Sequence, residues 1–347
     1  MQNLRADIWA QPDEMARSAR GLIHTQAAEL RRAADLLRGP TPAILTGMGS
    51  SYFIALAAQY AGLELGLKTL AMDTGELCNG LAPWLEDAAL LVVSRSGESA
   101  ETVRVLEVAR EKRARVIAVT NCPESQLGRA AEVVLNVGAD PDHNVSVKMY
   151  NGPLQAAILA LAEASGAHGA SLLPELEAGW AKVGERLDGW EDALESVAGL
   201  FEGPVVQYYL GRGAGYASAC EGRLLCEEAA KYPATADNAA AFRHGAIEVV
   251  KEGFRGMLFL TPGTPMGLTA SLAAAIEGFG GKSVVFAPDG GPEPEVALTL
   301  RFPAVSPVLA PLFDVTVAQL LALKMAGWRG ADCNDFYRCS YVISEEE

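Results

Sequence analysis

The chain has 347 residues, enough for two domains of ordinary size, each with its own core. Lys and Arg number 28 against 43 Asp and Glu, a formal net charge of −15. That balance argues against binding nucleic acid or docking on anionic lipid, both of which draw on clustered Lys and Arg. Half the residues are hydrophobic, which excludes a disordered chain.

The opening segment, MQNLRADIWAQPDEM, carries neither the basic start nor the apolar stretch of a secretory leader. Residues 13–38 read as an amphipathic helix broken near Gly21, with Leu22, Ala27, Leu30, Ala34 and Leu37 at helical spacing. A strand–glycine turn–helix pattern follows. Apolar runs at 43–47, 68–73, 89–94, 115–121 and 131–137 read as strands, with helices expected after Gly47–Tyr52 and after Ser94–Ser99. Continuous apolar strands alternating with helices predict a parallel sheet covered on both faces.

The same order returns at 205–211, 256–262 and 282–289. GMGSSY at 47 and GRGAGY at 211 lie 164 residues apart, and SRSGES at 94 and TPGTPM at 261 lie 167 apart. Nearly equal offsets predict an internal duplication. Residues 171–203 read as a charged helical bridge between the copies. The expected organisation is an N-terminal helical segment (1–40), a first domain (41–170), the linker (171–203), a second domain (204–326) and a tail (327–347). The uncharged stretch Gly256 to Ile276 is long enough to span a bilayer, but its prolines and glycines make it a buried strand, a turn and a buried helix. Six cysteines form no CxxC pair, as expected of buried thiols in a reducing cytoplasm. Four histidines at no metal-ligand spacing predict no dedicated metal site.

Three constellations carry candidate chemistry. In Ser94-Arg95-Ser96-Gly97-Glu98-Ser99 a strand meets a helix N-terminus, whose unpaired N–H groups and partial positive charge suit a phosphate. The plainer reading makes Ser99 an ordinary N-cap. In Gly47-Met48-Gly49-Ser50-Ser51-Tyr52 the paired hydroxyls suit a sugar hydroxyl or phosphate. Asp73 at the end of the next strand keeps a dinucleotide-binding dehydrogenase as a distant alternative. Glu228 on a helix and His244 sixteen residues later form the third, where the plainer reading is a structural histidine and a solvated carboxylate, and the functional one makes Glu228, beside apolar neighbours, a base. Glu228 shares a mixed helical stripe with Glu221, Leu224, Leu225 and Tyr232.

Together these segments resemble the sugar isomerase (SIS) superfamily, and within it the tandem isomerase half of the glucosamine-6-phosphate synthase family. SRSGESAET resembles the family's phosphate loop, GMGSSY its first sugar loop, and DHNVSVKMYN (142–151) the following substrate loop, with Ser146 and Lys148 in the family's places. The resemblance implies an α/β fold of two tandem flavodoxin-like three-layer SIS domains with mainly parallel sheets. It implies a cofactor-free enzyme acting on a hexose phosphate or amino-hexose phosphate, and a homodimer in which the histidine loop comes from the partner subunit. By position, Ser94, Arg95, Ser96 and Ser99 would bind phosphate, Ser51, Ser146 and Lys148 the rest of the substrate. Glu228 would move a proton between C1 and C2, and His244 would assist ring opening. Glu76 sits in a segment resembling a family turn of structural role. The chain departs from the synthase in three ways: no glutaminase precedes the helical segment, Leu225 stands where the synthase has a helical Lys, and Tyr341 stands in the tail where it has another. The HGAIE segment and the aromatic-basic tail resemble the family's deglycases. A non-catalytic phosphosugar sensor is the alternative of a different class.

Overall fold

The structure, a computed structural model, describes residues 1–39 and 41–338. The first helix, α1, spans Gln2–Arg20 and passes through Pro12. The break expected near Gly21 is there, as one wide turn over Gly21–Thr25, and α2 follows at Ala27–Leu37. The helix starts well before residue 13. Pro12 lacks the N–H that a helix interior uses, yet α1 accommodates it.

Then come β1 (Ala43–Gly47), α3 (Ser50–Glu64), β2 (Thr69–Asp73), α4 (Thr74–Cys78), β3 (Ala89–Val93) and α5 (Ala100–Glu111). They are followed by β4 (Arg115–Thr120), α6 (Gln126–Ala130), β5 (Val133–Asn136), α7 (Lys148–Ser165) and α8 (Leu173–Glu195). The second series is β6 (Val206–Gly211), α9 (Ala214–Ala229), β7 (Thr235–Asn238), β8 (Phe254–Phe259), α10 (Met266–Gly278), β9 (Lys282–Pro288), β10 (Leu298–Phe302) and α11 (Ala310–Arg329). Gly256 to Ile276 is therefore a strand, a turn and a helix.

Two compact units result. One holds residues 13–141, 148–177 and the described part of 337–347; the other holds 1–12, 142–147 and 178–336. In the first, five parallel strands run in the order β2-β1-β3-β4-β5; in the second, β7-β6-β8-β9-β10. These are the same order, and it is the flavodoxin-like one. The turns after β1 and β6 are alike as well. Gly49 stands before α3 at φ 55°, ψ −123°, and Gly213 before α9 at φ 54°, ψ −131°, a left-handed backbone that favours glycine.

Each sheet is buried on both faces. Ile44, Leu90, Val92 and Ala118 pack with Val105 and Ala109 of α5 and Leu127 of α6. Leu45, Leu91 and Ile117 alternate to the opposite face and are also buried. In the second unit Leu210, Leu258 and Val285 pack with Ala273 and Ile276 of α10. On the other face, a side chain at Gly222 of α9 would sit 2.8 Å from Tyr209, so the helix lies directly on the strand. Of the described helices one, α11, is long and apolar enough to cross a membrane, and 89% of its apolar window is buried, as in a core helix.

Candidate functional site

In the first unit β1 pairs with β2 on one side and β3 on the other, all parallel. The strand order reverses between β1 and β3, where ligands of open α/β sheets bind beyond the carboxyl ends. The loops leaving those two ends are Gly47–Ser51 and Ser94–Ser99, so the first two candidate segments emerge side by side.

Local geometry makes the second loop a structured turn. Ser94 Oγ accepts from the Gly97 N–H (3.1 Å) and Ser96 Oγ from the Glu98 N–H (3.2 Å). Each hydroxyl keeps its own O–H for donation. Gly97 has φ +67°, and a Cβ there would lie 2.0 Å from Ser125 Oγ, so only glycine fits. The Glu98 carboxylate accepts from the Gln126 side-chain amide (2.7 Å) and its backbone N–H (2.8 Å). The side-chain bond first, then the backbone bond, hold its carboxyl below the usual range. Ser99 occupies the N-cap position of α5, but its hydroxyl pairs with Thr102 Oγ1 (2.6 Å) and caps no backbone N–H. The plain N-cap reading therefore fails in its chemistry, and the first turn of α5 keeps N–H groups for a ligand.

Asp73, the acid on which a dinucleotide reading depends, is spent otherwise. Its Oδ1 accepts from the Gly75 N–H (2.9 Å) and the Glu76 N–H (3.3 Å), capping α4. Glu76 itself is exposed. Lys148, the first residue of α7, is 4% exposed, and its ammonium lies 3.5 Å from the Pro141 carbonyl. In the second unit, Ser146 lies in a loop closed by Asp142, whose Oδ2 accepts from the Val147 N–H (2.8 Å).

Glu228 is half-buried near the carboxyl end of α9. Leu225, one turn back, is 1% exposed, so α9 offers no cation there. Glu227 is ion-paired with Arg223. His244 is exposed and follows β7. Glu228 precedes that strand and His244 comes after it. The strand between them is Thr235–Asn238. Tyr341 lies outside the described residues.

Residues 36–164 match the family model for the SIS domain. Over that span the chain is similar to the SIS domain. Ser51, Ser94, Arg95, Ser96, Ser99, Ser146 and Lys148 lie inside it; Glu228 and His244 lie beyond the matched residues. The glutamine–fructose-6-phosphate aminotransferase [isomerizing] of Pyrobaculum aerophilum is 28% identical over 333 residues, covering 94% of this chain and 54% of that protein. The chain spans about half the length of the curated relatives it matches. The C-terminal domain of glucosamine-fructose-6-phosphate aminotransferase from Francisella tularensis superimposes with a TM-score of 0.81 at 20% identity, covering 95% of this chain and 97% of that one. Glucosamine-6-phosphate deaminase from Thermotoga maritima gives a TM-score of 0.81 at 19% identity, covering 98% and 99%. At these identities the structures establish a shared fold.

Outside the SIS domain, the structure reveals a buried polar cluster that the sequence reading missed. Asp314 of α11 is fully buried and accepts from Ser218 Oγ of α9 (2.7 Å) and Thr261 Oγ1 (2.6 Å). Burial pushes its carboxyl up to about 7 against those hydrogen bonds. The signal was available: one acid in the run from Ala310 to Ala318, where the one other polar residue is Thr316. Thr261 opens the loop after β8, in the place that Ser94–Ser99 takes after β3, and there its hydroxyl is committed to Asp314. Pro262 and Pro265 also remove two N–H donors from that loop.

Proposed function

We propose that this protein is a phosphosugar isomerase-type enzyme built of two tandem SIS domains. Its substrate is a hexose phosphate or amino-hexose phosphate, and its reaction an aldose–ketose isomerisation, with amine release as a deaminase or deglycase when the substrate carries an amine. Ser94, Arg95, Ser96 and Ser99 bind the phosphate, while Ser51, Ser146 and Lys148 hold the remainder of the substrate. Glu228 carries a proton between C1 and C2, and His244 assists ring opening. As the family resemblance implies, the reading includes a homodimer in which each site takes its histidine from the partner. The chemistry uses no metal or cofactor and belongs in the cytoplasm.

The observation that carries the reading is the Ser94–Ser99 turn. Three hydroxyls and an uncapped helix start stand beside the Gly47–Ser51 turn, where the strand order reverses. The named relatives supply the direction: the curated one is an isomerising aminotransferase of fructose 6-phosphate, and one structural neighbour is a glucosamine-6-phosphate deaminase. The second reading, a non-catalytic phosphosugar sensor, is favoured by buried, apolar Leu225 on the helix of the proposed base. A turnover and binding screen over hexose phosphates, amino-sugar phosphates and fructosamine phosphates separates the two. Turnover of any of them supports the enzyme. Tight binding without turnover supports the sensor. Binding of NAD and of no phosphosugar overturns both.

A further inference from the structure

An aldose–ketose isomerisation moves two protons, one between carbons and one between oxygens. Glu228 accounts for the carbon proton. One turn back on α9 lies only Leu225, so the oxygen proton needs another group.

His143 is placed to be that group. Its Nδ1 lies 3.0 and 3.1 Å from the two carboxylate oxygens of Asp7, and its backbone N–H donates to Asp7 Oδ2 (3.0 Å). The Asp7 side chain is 3% exposed while that of His143 is 52% exposed. A buried carboxylate on Nδ1 holds the half-exposed ring, the arrangement by which a carboxylate orients a catalytic imidazole. The neighbouring residues show where this ring stands. Asn144 donates to the Asn334 carbonyl. The Lys231 ammonium donates to the Asp335 carbonyl (2.7 Å) and to the carbonyl of Glu228. Consecutive residues 334 and 335 thus tie the His143 loop and the end of α9 to one point of the chain, within a single compact unit. Asn334 Oδ1 is buried there without a partner among the described residues.

We infer that His143, oriented by Asp7, is a second acid–base group of the isomerase, shuttling the proton between the substrate's O1 and O2. The inference rests on the isomerase reading above. From a ketose, protonated His143 gives its Nε2 proton to O2 as Glu228 takes a proton from C1, and the C1=C2 enediol forms. Nε2 then takes the proton of O1 as Glu228 delivers its own to C2, and the C1 carbonyl forms. Both groups return to their starting states, and no co-reactant is consumed.

The test compares the parent, His143→Gln, His143→Ala and Asp7→Asn on whichever phosphosugar the screen finds to turn over. His143→Gln should lower kcat about 10² to 10⁴-fold, the range for positioned acid–base catalysis, with phosphosugar affinity within about twofold of the parent. Added imidazole should restore part of the His143→Ala turnover, which a merely structural loss would not allow. Asp7→Asn should lower kcat less, again with affinity retained. A His143→Gln enzyme with parental kcat, or one whose loss is entirely in affinity, overturns the role of His143. A parent that binds no phosphosugar overturns the isomerase reading itself.

Discussion

Glu228 and His244 flank one short strand: the first lies near the end of the helix before β7, the second in the turn after it. The proposed reading has a second chain supply one of the two groups. Mixing inactive Glu228→Gln with inactive His244→Asn protein should therefore restore activity through hybrid dimers, in which one site in each hybrid has both native groups. Absence of recovery after confirmed subunit exchange means that each site is built from one chain.

The phosphate loop makes a separate prediction. Ser96→Ala removes a hydroxyl that also accepts the Glu98 N–H, and phosphosugar affinity should drop by about 1 to 3 kcal/mol, the usual cost of an unmade buried hydrogen bond. Unphosphorylated sugar should bind poorly to the parent, and isothermal titration of both sugars reads the difference. Gly97→Ala is the severe variant. Its Cβ would stand 2.0 Å from Ser125 Oγ at φ +67°, so the turn must shift and affinity should fall further than in Ser96→Ala.

How far these features could be read beforehand depends on burial and edges. The central strands β1, β3, β4, β6, β8 and β9 are apolar runs because both their faces are covered, and each falls within three residues of its expected place. The edge strand β7 (TADN) is short, half-exposed and polar, so no period marks it, and β10 (LTLRF) alternates over only five residues, too few to stand out. Helices α7 and α11 are buried on nearly every side and lose the amphipathic stripe that reveals α2. The loops bearing Ser51 and Ser94–Ser99 were legible because glycine and hydroxyl clusters punctuate apolar strands. The Asp7–His143 pair was not, since its members are 136 positions apart.

Asp314 gives a prediction about stability. Its carboxyl titrates near 7 in the folded chain, against an ordinary value of 3.8. A raised value means that the neutral form is favoured by folding. The stabilisation is complete below the ordinary value and is lost as the pH rises through 7. The difference amounts to about 4 kcal/mol at most, at 1.36 kcal/mol per unit. Asp314→Asn keeps the shape and stays neutral. Urea unfolding of parent and variant between pH 4 and 8 should show the parent losing stability relative to Asp314→Asn as pH rises. Parallel profiles would mean that Asp314 is ionised throughout.

The central claim is that a carboxylate on α9 moves a substrate proton, and the neighbouring pair Glu227 and Glu228 tests it most directly. The two point about 100° apart on the helix, and Glu227 is already paired with Arg223. The measurement is steady-state turnover of the parent, Glu228→Gln and Glu227→Gln on one confirmed phosphosugar, with affinity measured alongside. Glu228→Gln should lose about 10² to 10⁴-fold in kcat at nearly unchanged affinity, while Glu227→Gln stays active. Parental turnover by Glu228→Gln would contradict the account.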